Sequence, residues 1–270
     1  MPNAKDVPAG ISRRSFIVAG KAGSGKTTQF LTLPGKKFAY LFDPNALESL
    51  RGYDVDYEEF LPDKLEIGVT SLSDKGKVRA QGISPIKPAS GHELFRRWEV
   101  DIEDRMAKGG FDEYDIIVFD SFTTLSDMVM DAILSINMRG GQWPQIDDYG
   151  PQMLALSKIF RRVNTLGKVI YVTAHTETKQ DENTKRLINE LMMTGRLKAK
   201  LPLLFSEMLI MNAEGQKGGM ANYTVQTRPD RYNESCRCSI KTAKFLEDVT
   251  IDWNKDPVGQ GLGGLYKGLI

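Results

Sequence analysis

The chain has 270 residues, 41% of them hydrophobic and 26% charged, which is enough to bury the core of one large α/β domain. Lys and Arg (36) nearly balance Asp and Glu (35), so no overall charge draws the protein to nucleic acid or to a membrane surface. The polar N-terminus lacks the apolar segment of a signal peptide, and no apolar run approaches the ~18 residues of a membrane span. We therefore expect a cytoplasmic protein that does not bind membranes.

Hydrophobic periodicity and turn residues predict strands alternating with helices. In chain order we predict a flexible segment over 1–14, a strand at 15–19, a helix from 27, a strand at 37–42, an insertion with one short strand at about 54–90, a helix over 92–108, a strand at 115–119, helices over 124–137 and 152–166, and strands at 168–173, 203–212 and 223–227. This alternation favours a mostly parallel sheet with helices on both faces, within one domain over residues 15–255. Residues 256–270 are glycine-rich, which predicts a flexible tail.

The turn between the first strand and the following helix matches the phosphate-loop pattern G-x-x-x-x-G-K-[ST] at every fixed position. It reads Gly20, Lys21, Ala22, Gly23, Ser24, Gly25, Lys26 and Thr27, followed by Thr28. In such a loop backbone N–H groups surround a phosphate, the lysine reaches the β and γ oxygens, and the threonine hydroxyl binds Mg²⁺. The motif predicts binding of ATP with Mg²⁺, and a glycine-rich turn without a ligand is the alternative.

Two polar residues follow buried strands downstream of this loop. Asp120 ends DIIVFD, where a carboxylate is needed beside Thr27 to hold Mg²⁺, although an ordinary helix N-cap has the same pattern. His175 ends KVIYVTAH and is predicted to sense the γ-phosphate, with a purely structural histidine as the alternative. Lys26, Asp120 and His175 are thus candidate catalytic residues.

The chain resembles the short RecA-like ATPases encoded by bacteriophages (AAA_24 type), some of which are grouped with single-strand annealing and recombination proteins. The resemblance covers about residues 15–231 and is carried by FIVAGKAGSGKTT, YLFDPNALE, YDIIVFDSFTTL, KVIYVTAHTE, LPLLFSEMLIM and YTVQTRPDRY. It implies a RecA-like P-loop NTPase core and ATP hydrolysis. For a phage-encoded protein it also implies a location in the cytoplasm of the host cell.

The resemblance places the hydrolytic base in an acidic stretch after the second strand, where RecA-like ATPases carry a glutamate. Here Asn45 stands near the expected position. Either Asp43 or Glu48 therefore serves as the base, or hydrolysis is slow. Such proteins also assemble into rings or filaments with ATP between subunits, which implies that an arginine from the neighbour stabilises the transition state. Arg228 is the first candidate for this role and Arg231 the second.

The resemblance also implies two DNA-binding loops, at residues 138–150 and 176–200. The first offers Arg139 for phosphate and Trp143 for base stacking. The second offers positive charge for a phosphate backbone, from Lys179, Lys185, Arg186, Arg196, Lys198 and Lys200. A solvated charged loop is the alternative there. The tail is a candidate docking segment for a single-strand-binding protein, through residues 265–266 and 269–270.

We compare four functions with these features. The first is an ATPase acting on single-stranded DNA in recombination, annealing or replication. The alternative is a nucleotide-switched assembly or helicase-loading protein that acts mainly on a protein partner. A packaging motor lacks its usual nuclease domain, and a small-molecule kinase lacks a lid segment with clustered arginines.

Overall fold

The structure is a computed structural model that describes residues 14–61, 71–72, 78–79, 90–181, 185–193, 195–215 and 221–268. Its strands are β1 (Ser15–Gly20), β2 (Lys37–Leu41), β3 (Asp56–Glu59), β4 (Ser71–Leu72), β5 (Val78–Arg79), β6 (Ile116–Asp120), β7 (Val169–Gln180), β8 (Leu187–Leu191), β9 (Glu207–Gly215), β10 (Ala221–Gln226) and β11 (Leu246–Asp248). Its α-helices are α1 (Lys26–Gln29), α2 (Ser90–Lys108), α3 (Phe122–Ile136), α4 (Tyr149–Val163), α5 (Leu197–Lys200) and α6 (Gly261–Leu265). Short 3₁₀ helices occupy Phe30–Thr32, Ala46–Ser49, Ile146–Asp148 and Leu201–Leu204. Among the described residues, no helix has the length and apolar character needed to cross a membrane.

The main sheet has the strand order β11-β10-β9-β1-β7-β6-β2-β3, and β4 pairs only with β5. All pairs from β9 to β3 are parallel, whereas β10 and β11 add an antiparallel edge. β8 pairs antiparallel with the part of β7 that extends past the sheet. The predicted mostly parallel sheet is therefore confirmed, with β1 and β7 at its centre.

Successive side chains of the central strands belong to two different cores, as the pleat of a strand buried on both faces requires. In β1, Ile17 and Ala19 pack with α2, α3 and α4, whereas Phe16 and Val18 pack with the segment after α1 and with α6. The sheet is thus covered by helices on both faces. The carboxyl ends of β1, β6 and β7 meet at one edge, and this edge carries the predicted site residues.

Several boundaries differ from the prediction. β3 lies inside the expected insertion, because Asp56–Glu59 is a polar edge strand with no apolar alternation to reveal it. The strand expected from residue 203 begins at Glu207, since Pro202 lies in the first turn of a 3₁₀ helix over Leu201–Leu204. Residues 1–13, and most of the remaining insertion, lie outside the described residues.

The C-terminal segment is not a free tail over the described residues 256–268. Leu262 and Tyr266 are buried against the sheet. The Gln29 side chain of α1 accepts a hydrogen bond from the Leu262 backbone N–H at 2.9 Å, and Gly263 N–H donates to Thr32 Oγ1 at 2.8 Å. Gly263 approaches Thr32 so closely that a Cβ there would lie 1.9 Å from the Thr32 carbonyl oxygen. The glycines thus permit close packing, and the predicted flexible tail is wrong for this part.

We predict that Gly263→Ala destabilises the fold by about 1–3 kcal/mol, because the added methyl forces the C-terminal segment away from Thr32. Gly150→Ala is the matched control, since Gly150 lies in α4 and a Cβ there meets nothing within 4 Å. The control should be neutral or should stabilise by roughly 0.4–1 kcal/mol. Urea unfolding measures both. Equal stability of the two variants would contradict this packing.

Candidate nucleotide-binding site

The phosphate loop connects the buried strand β1 to α1 and has the backbone that a phosphate cradle needs. Gly23 and Gly25 adopt left-handed conformations, with φ of 74° and 83°. A Cβ at Gly20 would lie 2.6 Å from the Met211 carbonyl oxygen of the neighbouring strand β9. The Ser24 hydroxyl is buried in the loop without a hydrogen-bond partner among the described residues. A phosphate oxygen would supply the partner that this hydroxyl lacks.

A cavity of about 640 Å³ opens over this loop. Its walls combine residues of the phosphate loop and α1 with residues from five other parts of the chain. They are Ala22, Gly23, Gly25, Lys26, Thr27, Thr28, Gln29, Asp43, Pro44, Asn45, Ala46, Ser49, Asp120, His175, Tyr223, Ile251 and Trp253. The structure thus brings Lys26, Thr27, Asp43, Asp120 and His175 to one cavity.

Asp120 lies at the end of β6 and is almost fully buried, with 2% of its surface exposed. Thr27 Oγ1 donates to Asp120 Oδ2 at 2.8 Å, and Thr173 Oγ1 donates to the other oxygen. Burial raises the pKa of the Asp120 carboxyl above its usual value, while these hydrogen bonds act in the opposite direction. A threonine hydroxyl and a carboxylate that meet in this way are hard oxygen ligands, and they fit Mg²⁺.

When bound here, Mg²⁺ would neutralise charge that develops on the β- and γ-phosphate oxygens. Thr27 and Asp120 are the residues that would hold it. Lys26 lies in the same concave loop, where Nζ donates to the Lys21 carbonyl oxygen at 2.8 Å. Burial lowers the pKa of Lys26, and the carboxylates of Asp120 and Asp43 raise it, with burial the larger effect.

Asp43 is the acidic residue of the 43–48 stretch that faces the cavity. Its carboxylate accepts hydrogen bonds from Ser121 Oγ at 2.9 Å and from Thr124 Oγ1, and it lies 3.3 Å from His175 Nε2. Burial raises the pKa of Asp43, but the hydrogen bonds from His175, Thr124 and Ser121 together lower it below its ordinary value. Asp43 is therefore ionised at neutral pH.

Glu48 is differently placed. It pairs with Arg51 at 2.8 Å on an exposed 3₁₀ helix, and it does not line the cavity. Asn45, which stands near the position expected for a glutamate, does line it. Of the two candidate bases, only Asp43 reaches the cavity in this structure.

The guanidinium of Arg228 is hydrogen-bonded within its own chain. It donates to the carbonyl oxygens of Cys238 at 2.8 Å, Ile240 at 2.5 Å and Lys241 at 3.2 Å. These carbonyls converge on Arg228 and occupy its donors, so its expected role as an arginine finger is corrected. Arg231 is exposed, and its guanidinium lies 4.7 Å from the centre of the Tyr232 ring.

The second predicted DNA-binding loop is mostly a β-hairpin. β7 continues to Gln180 and pairs antiparallel with β8. The threonines in this part of β7 are β-branched, which favours a strand. Residues 182–184 and 194 of this region lie outside the described residues. Lys179 pairs with Glu177 at 2.6 Å, and Lys198 pairs with Glu190. The exposed basic residues of the region also include Lys185, Arg186, Arg196 and Lys200.

In the first predicted DNA-binding loop, Arg139 forms an ion pair with the buried carboxylate of Asp148. This pair orders the connection between α3 and α4, so Arg139 is not a free phosphate contact. Trp143 in the same loop is 91% exposed. Residue 265 is half-buried and Tyr266 is buried, whereas residues 269–270 of the predicted docking segment lie outside the described residues.

Sequence patterns missed several residues of the site, among them Thr173, Tyr223 and Trp253. Thr173 carried a signal, because it is a polar residue at the end of an apolar strand. Tyr223 and Trp253 carried none, since only the tertiary fold brings β10 and the C-terminal segment to the cavity.

A family model described as an AAA domain matches residues 12–235 of this chain. Comparison with curated proteins found no match. Among solved structures, the chain is similar to the flagellar accessory protein FlaH of Methanocaldococcus jannaschii, at 12% identity and a TM-score of 0.40 over 89% of this chain and 86% of that one. It is also similar to the KaiC-like protein PH0186 of Pyrococcus horikoshii, at 11% identity and a TM-score of 0.42 over 89% and 87% of the two chains.

We predict that Asp43→Asn lowers the rate of ATP hydrolysis by about 100-fold or more, since a positioned proton acceptor contributes that much. ATP binding should persist, because Lys26 and the phosphate loop are unchanged. Glu48→Gln is the matched control and should hydrolyse ATP at the parental rate, because Glu48 contacts Arg51 outside the cavity. Steady-state phosphate release and ATP affinity are the measurements. The assignment fails if Glu48→Gln is the slower variant.

Proposed function

Because this chain belongs to the family of AAA domains and is a RecA-like P-loop ATPase, we propose that it acts on single-stranded DNA. ATP binding at the phosphate loop would change the affinity of the β7–β8 hairpin for DNA. The process served is recombination, annealing or replication, as in the phage-encoded proteins that the sequence resembles. The observation that carries the proposal is the continuity of β7 between the nucleotide cavity and the hairpin.

β7 contains both the candidate sensor and one arm of the hairpin. Its first six residues are buried in the sheet, His175 follows beside Asp43, and the strand continues to Gln180. The His175 N–H donates to Thr123 Oγ1 at 3.0 Å, and its carbonyl oxygen accepts from Met192 N–H at 2.8 Å. A shift of His175 that follows nucleotide binding would therefore move the hairpin directly.

The hairpin region carries the charge that a phosphate backbone requires. Lys185 and Arg186 lie at the turn, and Arg196 and Lys200 lie just after β8, all of them exposed. The whole chain has a formal charge of only +1, so DNA binding has to rely on such a local group. The exposed Trp143 indole is suited to stacking on a base, which tolerates every sequence.

Assembly into a ring or filament belongs to the same proposal. With Arg228 occupied by its own chain, Arg231 is the candidate to reach the nucleotide of a neighbouring subunit. This guanidinium is exposed and near the end of the last long strand. It would stabilise negative charge on the transferring phosphoryl group from across the subunit boundary.

A second candidate function is a nucleotide-switched protein that acts on a protein partner, such as a helicase during loading. The observation that favours it is a group of exposed apolar side chains around the α3–α4 connection. Met138 is 93% exposed, Trp143 91% and Ile146 88%. Large exposed apolar side chains close together mark protein-binding surfaces.

We predict that single-stranded DNA stimulates ATP hydrolysis, and that Lys26→Ala abolishes both the basal and the stimulated rate. Reversal of Lys185 and Lys200 to Glu should weaken DNA binding about tenfold or more and lower the salt slope of the binding constant by about 1.4, or 0.7 for each phosphate contact. Lys198 is left intact, since its reversal would place two carboxylates together at Glu190. Fluorescence anisotropy of a labelled oligonucleotide at several salt concentrations measures the effect.

The matched control reverses Lys158 and Lys241, two exposed lysines elsewhere, and changes net charge equally. It should bind DNA like the parent protein. Equal loss in both double variants would show a nonspecific charge effect and contradict the placement at the hairpin. Nucleotide binding without any DNA effect would favour the protein-partner function instead.

A further inference from the structure

Three side chains of the nucleotide cavity have no part in phosphate or metal binding. They are Tyr223, Ile251 and Trp253, two aromatic rings and one aliphatic chain. Tyr223 lies on β10, and the other two follow β11. Ile251 and Trp253 also lie beyond residue 235, where the match to the family model ends.

The backbone beside these residues is fixed to the phosphate loop's own helix. Gln29 of α1 is buried, and its Nε2 donates to the Val249 carbonyl oxygen at 2.7 Å. Val249 N–H donates to the Tyr223 carbonyl oxygen at 2.8 Å, and Tyr223 N–H donates to Thr250 Oγ1 at 2.9 Å. Hydrogen bonds therefore join α1, β10 and residues 249–250 directly before Ile251.

The aromatic rings are placed to meet a flat ligand. A Cβ at Gly25 would lie 3.0 Å from Tyr223 Cδ1, so this ring packs directly over the phosphate loop. Trp253 is 48% exposed, and its only ring neighbour among the described residues is Tyr53, at 5.9 Å between centroids. The indole thus keeps a large open surface at the wall of the cavity that also contains the phosphate loop.

We propose that Tyr223, Ile251 and Trp253 form the base-binding wall of the nucleotide site, with Trp253 stacking on the nucleobase. A nucleoside triphosphate held at Lys26 and Thr27 carries one flat aromatic group, its base, and this wall is the aromatic surface of the same cavity. Stacking of a base on an aromatic side chain is favourable for every base, because each has a π-face. The wall therefore adds affinity for nucleotides over inorganic polyphosphate. The inference rests on the nucleotide site and not on the DNA-binding hairpin.

The test compares ATP with inorganic tripolyphosphate, which has the phosphates but no base. Trp253→Ala should weaken ATP binding about 5- to 20-fold, as the loss of one stacked base implies. Its affinity for tripolyphosphate should stay at the parental value, and Trp253→Phe should retain most of the ATP affinity. Phe245→Ala is the matched control, because Phe245 is 45% exposed in the same part of the chain but does not line the cavity. Titration calorimetry measures the parent protein and the three variants with both ligands.

The intrinsic fluorescence of Trp253, obtained as the difference between the parent protein and Trp253→Phe, gives a second readout. ATP should change it and tripolyphosphate should not. The inference is overturned if Trp253→Ala keeps the parental ratio of ATP affinity to tripolyphosphate affinity, whether both affinities are unchanged or both fall equally. Neither readout contains DNA, so failure of the DNA proposal shows separately in the oligonucleotide experiment on the parent protein.

Discussion

A buried carboxylate joins the three segments that make the site. Asp120, at the end of β6, accepts hydrogen bonds from Thr27 of α1 and Thr173 of β7, and it is only 2% exposed. A carboxylate buried without partners would cost several kcal/mol, so the fold must keep both threonines in place. These two hydrogen bonds hold the phosphate-loop helix, β6 and β7 together. Three segments that lie far apart in the chain thus meet at one carboxyl group.

The phosphate-loop helix also depends on contacts outside itself. α1 has four residues, too few to be stable alone. The hydroxyl of Tyr171, in the central strand β7, donates to the Lys26 carbonyl oxygen at 2.7 Å. The Gln29 side chain forms hydrogen bonds with the backbone of Val249 and Leu262 in the C-terminal segment. The cavity is thus connected to two regions: the hairpin, through β7 and His175, and the C-terminal segment, through Gln29.

The sequence was sufficient to predict the structure where a pattern of residues has one physical meaning. The phosphate-loop motif between an apolar strand and a helix, and Asp120 at a strand end, located the cavity because parallel strands bring their carboxyl ends together. It was insufficient where one composition fits two structures. Glycine-rich sequence suits a flexible tail and also close backbone packing, and only Thr32, some 230 positions earlier, decides for packing at Gly263. In the same way, no local feature of Thr227–Asp230 reveals the three carbonyl oxygens that bind Arg228.

The surroundings of Asp43 bear on how fast such a site turns over. A carboxylate that accepts hydrogen bonds from Ser121 and Thr124 and lies beside His175 has a lowered pKa, which makes it a weak proton acceptor. General bases are most effective when their pKa lies near the working pH. Asp43 is therefore a weak base at neutral pH, which predicts slow hydrolysis even with Asp43 as the proton acceptor, and Asn45 adds no second base. Because His175 is one of the groups that hold Asp43, a ligand that moves the β7–β8 hairpin would alter the carboxylate itself. Under the proposed function, slow basal turnover and stimulation from the hairpin would then follow from one arrangement.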